Sequence, residues 1–343
     1  MLRTLGLLWI VGCAACSPAP VGSVDGGGGS GGSGGGTAGG SGGGTAGIDG
    51  GSWIAIASLP GGVRQETGVA EVGGKIYVVG GFVMNGGIVP RVEAFDPDAG
   101  TWATVAPLPR AVHHANVAAV AGKLYVVGAL EGLGFTALAD VYEYTPSTNT
   151  WVARTPLPMA QRRGGSGVAV VGTKIYIAGG LRSGAVAEFS AYDTATDTHE
   201  SLPALPTLRD HLVCAAFGTT IFAIGGRGGS ITSIEGRVDA FDTIAKTWSP
   251  KTPMLTPRGG AAVGTFSDFF VVAGGEGNSS ASSGVFAQVE AYYPASNAWR
   301  ALSPMKTPRH GTGGAVVDGV FYVPGGATVQ AFGATQVCEA WRP

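Results

Sequence analysis

From residue 53 onward, short apolar runs alternate with turn signals at a steady beat. A run closed by a glycine pair recurs as IYVVGG (76–81), IYIAGG (175–180), IFAIGG (221–226), FVVAGG (270–275) and FYVPGG (321–326). A weaker copy, LYVVGA (124–129), fills the gap. The first glycines, Gly80, Gly128, Gly179, Gly225, Gly274 and Gly325, lie 48, 51, 46, 49 and 51 residues apart. Before each run comes a stretch of small residues and a tight turn, such as Thr67 to Val72 and then Gly73-Gly74. After it comes a loop of varied length, then a third run: VEAFDP (92–97), VYEYTP (141–146), FSAYDT (189–194), VDAFDT (238–243) and VEAYYP (289–294). A polar turn then leads to a fourth run opening on Trp102, Trp151, Trp248 or Trp299. Four short runs bounded by turn signals predict a four-stranded antiparallel sheet. A fixed period of this length means one supersecondary unit copied many times.

The glycine pair, the aromatic on the third strand and the tryptophan at fixed offsets resemble kelch repeats, over about residues 53–343. The resemblance implies an all-β protein, a six-bladed kelch-type β-propeller with four antiparallel strands per blade around a central channel. There are six glycine-pair positions and six fourth-strand positions: Trp53, Trp102, Trp151, His199, Trp248 and Trp299. The chain opens on a lone fourth strand, Trp53 to Ala57, and ends on a third strand, where Glu339 to Pro343 match Glu93 to Pro97. Pairing the two predicts a ring closed by the N-terminal strand, with no exposed edge at the seam. Where His199 replaces Trp, and where Val112 and Ala129 depart from Arg and Gly, locally weaker blades are expected.

The segment before residue 53 reads differently. Residues 1–12 carry a basic start and a short apolar core, as in a signal peptide. Ile10-Val11-Gly12-Cys13 resembles a bacterial lipoprotein cleavage box, which implies lipid attachment at Cys13. Residues 13–52 then hold the lipid-attachment cysteine and a Gly/Ser-rich tether with no apolar surface to bury, expected to stay disordered, its residues 17–52 spanning roughly 30–36 Å. An exported protein is expected, lipid-anchored to the cell envelope, with the outer membrane or cell surface favoured by Ala14 after the cysteine.

Composition narrows the function classes. The formal net charge is −2 and charged residues make up 13%, which argues against nucleic acid as a partner. No apolar run reaches the ~18 residues of a membrane helix. Four cysteines, two of them at the N-terminus, do not make a disulfide framework; Cys214 and Cys338 are expected as buried small hydrophobes. Neither a phosphate-binding loop nor a nucleophile elbow is present.

Arginine stands 16 residues before the glycine pair in five of six repeats: Arg64, Arg163, Arg209, Arg258 and Arg309. Strand direction puts these on the face of the variable loops (82–90, 129–139, 181–187, 227–236, 276–287 and 327–335). One reading is a ring of guanidinium groups at the channel mouth, joined by His211, that binds carboxylate or phosphate. The other is structural, each arginine holding loop carbonyls or an acid. Glu93, Asp239 and Glu290 recur on the third strand and read as blade architecture. His114, His211 and, one position earlier in its repeat, His310 fall near the ring. Three imidazoles near an axis are a ligand type for metal, but they sit on separate repeats, so loop-bonded or solvated histidines are expected, with no metal, cofactor or catalytic residue. The expected function is a monomeric, surface-tethered binding module for a protein or glycan. The alternative, by resemblance to periplasmic kelch proteins, is a sugar-acid (sialic-acid-type) mutarotase. It would use Arg64, Arg209 or Arg309 for the carboxylate, and Glu66, Asp210 or His211 for proton transfer. Loop aromatics Phe82, Phe135, Phe286 and Phe332 favour binding.

Overall fold

The computed structural model describes residues 50–343. The expected signal peptide, Cys13 and nearly all of the expected tether lie outside them. Six four-stranded antiparallel sheets surround one axis. Blade one is β2 (Gly68–Val72), β3 (Lys75–Val79), β4 (Val92–Asp96) and β5 (Thr101–Val105). Each blade runs in this order from axis to rim. The innermost strands are thus β2, β6 (Val117–Val120), β10 (Gly167–Val171), β14 (Val213–Phe217), β18 (Ala262–Thr265) and β22 (Ala315–Val317). Small residues let these strands converge. At Gly167 an added Cβ would sit 2.5 Å from Cys214 Sγ on the neighbouring blade. Cys214 and Cys338 are both buried and free.

The seam closes as the pattern predicts. Blade six takes β22, β23 (Val320–Pro324) and β24 (Cys338–Arg342) from the C-terminus and β1 (Ser52–Ile56) from the N-terminus. Trp53 faces Trp341, and Ser52 faces Arg342. Contacts reach back past Trp53: Gly50 O accepts hydrogen bonds from Ser303 N at 2.8 Å and Trp341 Nε1 at 3.2 Å. Among the described residues, contacts with the blades thus begin at Gly50.

Blades are joined at rim and axis. At the rim, the indole N–H of Trp53, Trp102, Trp151, Trp248 and Trp299 donates to a carbonyl just past the outer strand of the preceding blade, at 2.8–2.9 Å. His199 makes the equivalent bond to Thr155 O at 2.8 Å, so the histidine keeps the stitch. Nearer the axis, the amide of the second glycine in each pair donates to the next blade. Gly180, Gly226, Gly275 and Gly326 reach the carbonyls of Arg209, Arg258, Arg309 and Arg64 at 2.8–3.0 Å. Blade two has Ala129 there, and β7 (Lys123–Glu131) runs on through a register shift into a long hairpin with β8 (Thr136–Thr145). The segment 129–139, read as a loop from sequence, is mostly this hairpin. The missing glycine bond is replaced by Asn116, whose Nδ2 donates to Arg163 O at 3.0 Å. Both departures from the repeat are thus compensated locally.

Trp53 is 4% exposed and its ring packs 6.3 Å from Phe321. Trp53→Ala is expected to cost about 3–5 kcal/mol in urea denaturation. Removing residues 53–58 should lower the melting temperature sharply by exposing β24; an unchanged melt would mean that the β1–β24 seam carries no stability.

Candidate functional site

The arginines do not form an open anion site. Arg64, Arg163, Arg209, Arg258 and Arg309 are 0–1% exposed, lying inside the blades. Four meet an acid on the third strand of their own blade. Arg64 bonds Glu93, Arg209 bonds Asp239 at 2.8 Å, Arg258 meets Glu290 at 3.1 Å and Arg309 meets Glu339 at 2.8 Å. Their remaining donors reach carbonyls, as Arg258 reaches Thr256 O and Val272 O at 2.7 and 3.0 Å. Blade three has Ser190 for the acid, 2.8 Å from Arg163; burial without a paired carboxylate there pushes the Arg163 guanidinium down to about 10. Blade two has Val112 for the arginine and Tyr142 for the acid. Arginine entering strand one at this depth points sideways into the blade, where a charge needs its counter-charge. Of the two readings the sequence leaves open, this burial and pairing fit the structural one, an internal brace, and not an open carboxylate-binding ring.

The channel mouth is built two residues later. Glu66, His114, Gly165, His211, Gly260 and Gly311 occupy one position in successive blades, and all have φ between +52° and +65°. Their peptides form a closed belt around the axis: each N–H donates to the carbonyl of the preceding blade. His114, Gly165 and His211 bond Glu66, His114 and Gly165 at 2.9 Å. Gly260 bonds His211 at 2.8 Å, Gly311 bonds Gly260 at 2.9 Å, and Glu66 closes the belt onto Gly311. The left-handed conformation that aligns the belt favours glycine, so Glu66, His114 and His211 stand out.

Those three side chains converge. Nε2 of His114 lies 2.9 Å from Nε2 of His211 and 3.1 Å from Glu66 Oε2, with 3.8 Å from His211 Nε2 to the same oxygen. Position +1 after the arginine adds His113, Asp210 and His310, and the residue after the glycine pair adds Phe82, Arg227 and Glu276. Asp210 is bonded to His211 Nδ1 at 2.6 Å and to Arg227 Nε at 2.8 Å; although burial pushes its carboxyl up, these partners hold it below the usual range. Arg227 also meets Glu276 at 2.6 Å. Burial holds the His113 imidazole down to about 4. Burial, and then His211 beside it, keep His114 well below its ordinary value. Three carboxylates, Glu66, Asp210 and Glu276, against one guanidinium, Arg227, give the mouth negative character, opposite in sign to an anion site. The four mouth histidines are buried, whereas loop-bonded or solvated ones were expected; only the loop bonds are found, His113 to Gly132 O and His310 to Val329 O, each at 3.0 Å. No motif in the sequence marks Arg227 or Glu276. Their signal was the slot directly after each glycine pair, which pairs with the +1 slot of the same blade, as Asp210 does with Arg227 and Gly259 with Glu276.

A cavity of about 130 Å³ lies above this cluster, walled by Phe82, Phe135, Ile231 and Phe332. Of the four loop aromatics, Phe82 and Phe286 are buried, Phe135 is half-buried and Phe332 is exposed. Beside it a groove of about 460 Å³ runs between the loops of blades one, two and six, lined by Val83, Met84, Leu133 and Phe332. Met84, Leu133 and Phe332 are 69%, 65% and 55% exposed.

The molecule is a six-bladed kelch-type β-propeller. The kelch motif matches residues 64–109, 162–206 and 208–255. Kelch-like protein terF of Aspergillus terreus is 32% identical over 189 residues, 52% of this chain and 41% of that protein. Kelch-like protein 25 of Xenopus tropicalis is 33% identical over 110 residues, 30% of this chain and 18% of its own length. The chain thus spans less than half of these curated relatives. A solved structure, described as the structure of YjhT, superposes with a TM-score of 0.69 at 16% identity, covering 82% of this chain and 95% of that one; it shows the shared fold.

Among the described residues, Glu290 has no cation besides Arg258 within ion-pair distance. Arg258→Ala should therefore cost about 3–5 kcal/mol, while Arg258→Met with Glu290→Leu should recover most of it. Chemical denaturation of the single and double variants checks this.

Proposed function

We propose that the propeller is a binding module whose loop face takes an apolar segment of a protein partner. The observation that carries this reading is the groove of Met84, Leu133 and Phe332, three large apolar side chains exposed side by side. Exposed apolar surface gathered in one place marks an interaction site, and aromatic anchors dominate such interfaces. The relatives named for kelch repeats agree with a binding role at the level of the fold. The sugar-acid mutarotase reading is less favoured. Arg64, Arg209 and Arg309 are enclosed in their blades, and Arg227, the guanidinium nearest the mouth, is bridged by Asp210 and Glu276. Among the described residues, no free guanidinium is left at the mouth for a sugar carboxylate.

Peptides selected from a random displayed library on the purified protein should be rich in apolar and aromatic residues. They should lose binding at least about tenfold, or 1.4 kcal/mol, in Leu133→Ser and Phe332→Ser, with melting temperatures unchanged. Selected peptides indifferent to both substitutions, or binding of acidic sugars and of no peptide, would count against the groove.

We further propose that the module is held at the envelope surface through a lipid on Cys13, on the strength of Gly12-Cys13 after a short apolar core. Metabolic labelling with a fatty acid should tag the wild-type protein, and Cys13→Ser should abolish labelling and release the protein from membranes. Labelling retained in that variant would remove Cys13 from the role.

A further inference from the structure

Hydrogen-bond accounting at the belt leaves a group of acceptors facing one another. His113 Nε2 donates to Gly132 O at 3.0 Å, so its Nδ1 carries a lone pair. His114 Nδ1, 2.5 Å from that nitrogen, must donate to it, and its own Nε2 is left as an acceptor. His211 Nδ1 donates to Asp210 Oδ1 at 2.6 Å, which leaves its Nε2 an acceptor as well. These two Nε2 atoms point at each other across 2.9 Å, with Glu66 Oε2 at 3.1 and 3.8 Å. The neighbouring guanidinium does not resolve the conflict. Arg227 Nη2 is 2.5 Å from Nδ1 and 2.9 Å from Nε2 of the same His211 ring. An atom that close to both lies off the ring plane, because Cε1 occupies the in-plane position between them. His310 Nδ1, buried without a partner, faces Glu66 Oε1 at 3.7 Å and Glu276 Oε2 at 3.5 Å. The centre is rich in acceptors and poor in donors.

A proton can bridge one pair of these atoms; a cation at their centre serves all three. Tetrahedral zinc with bonds of 2.0–2.1 Å sets its donors about 3.3 Å apart, and the three separations here, 2.9, 3.1 and 3.8 Å, straddle that value. The outer contacts are those that metal-binding histidines use. A carboxylate, Asp210, orients His211, and His113 with the Gly132 carbonyl orients His114. Glu66, Asp210 and Glu276 outweigh Arg227 in charge. The backbone adds an independent sign. Three blades place glycine at this strained position, and the three that do not supply these three side chains; strained non-glycine residues gather where function over-determines them.

We propose that Glu66, His114 and His211 bind a divalent transition metal of the zinc class, with a fourth coordination position open to the cavity beneath Phe82, Phe135 and Phe332. Two imidazoles and one carboxylate with an open position are a zinc-type ligand set, and imidazole donors disfavour magnesium or calcium. The site does not depend on the apolar groove, and either can fail alone.

The test uses the full-length protein stripped with a chelator and titrated with Co²⁺, then Zn²⁺. One Co²⁺ per chain should bind with the visible d–d absorption of a low-coordinate site, and Zn²⁺ should displace it. His114→Gly and His211→Gly copy what Gly165, Gly260 and Gly311 do at the same position, so both variants should fold, as circular dichroism and melting will show, and should lose the spectrum. Asp210→Asn should weaken binding about 10–100-fold. A folded wild-type protein that takes up no Co²⁺ would overturn the proposal and assign the short Nε2–Nε2 contact to a shared proton. A Co²⁺ spectrum that survives both glycine variants would overturn it too, placing the metal elsewhere.

Discussion

The belt of six peptide hydrogen bonds around the axis is the constraint on which the rest of this propeller depends. Each bond joins a blade to its predecessor, and the set closes only if all six blades arrive at the same height and angle. That requirement fixes a left-handed backbone at one residue per blade, and from it the start of every innermost strand. Farther out, the glycine-pair amides and the rim indoles repeat the same blade-to-blade linkage at larger radius. The arginine–carboxylate pairs lie between these layers and brace the interior of single blades. Blade-to-blade joints are thus backbone near the axis and side chain at the rim, where the blades diverge and only a large ring spans the gap.

Most of this architecture is legible in the sequence, because a propeller writes its geometry once per repeat. The glycine pairs, the rim tryptophans, the count of six and the seam between Trp53 and Trp341 all follow from register alone. The arginines show the limit of that reading. Register places them at the start of strand one, but whether a side chain turns toward the axis or into its own blade depends on what waits there. The clue lay in paired substitution within the chain: where the arginine becomes Val112, the third-strand acid becomes Tyr142. The mouth was less legible still. Glu66, His114 and His211 come from three blades, 48 and 97 residues apart, and no local spacing announces them. Only aligning the repeats on the belt position, and asking why glycine is missing in three of six, brings them together.

Symmetry and its breakage divide the labour in this fold. Positions that repeat in every blade hold the ring together, and positions that differ give the loop face its chemistry. Blade two departs most, trading its internal ion pair for Val112 and Tyr142 and its second glycine for Ala129. In return it sends out a long hairpin that carries Leu133 to one wall of the groove and Phe135 to the roof of the mouth. Asn116 makes the trade tolerable by restoring the link to blade three. Blade four keeps every joint and diversifies only at its slots, with Asp210, His211 and Arg227.

The seam has a topological consequence. Because Ser52 lies opposite Arg342 in adjacent antiparallel strands, the two ends of the ring meet side by side, and the covalent break between them is the one place where blade six differs in kind from its neighbours. A short linker across that gap, with a new opening in any exposed turn between two other strands, would give a circular permutant with the same ring of blades. The order in which this chain spells its blades is thus a matter of where the circle happens to be cut, and the mouth, whose belt draws on all six blades, is indifferent to the choice.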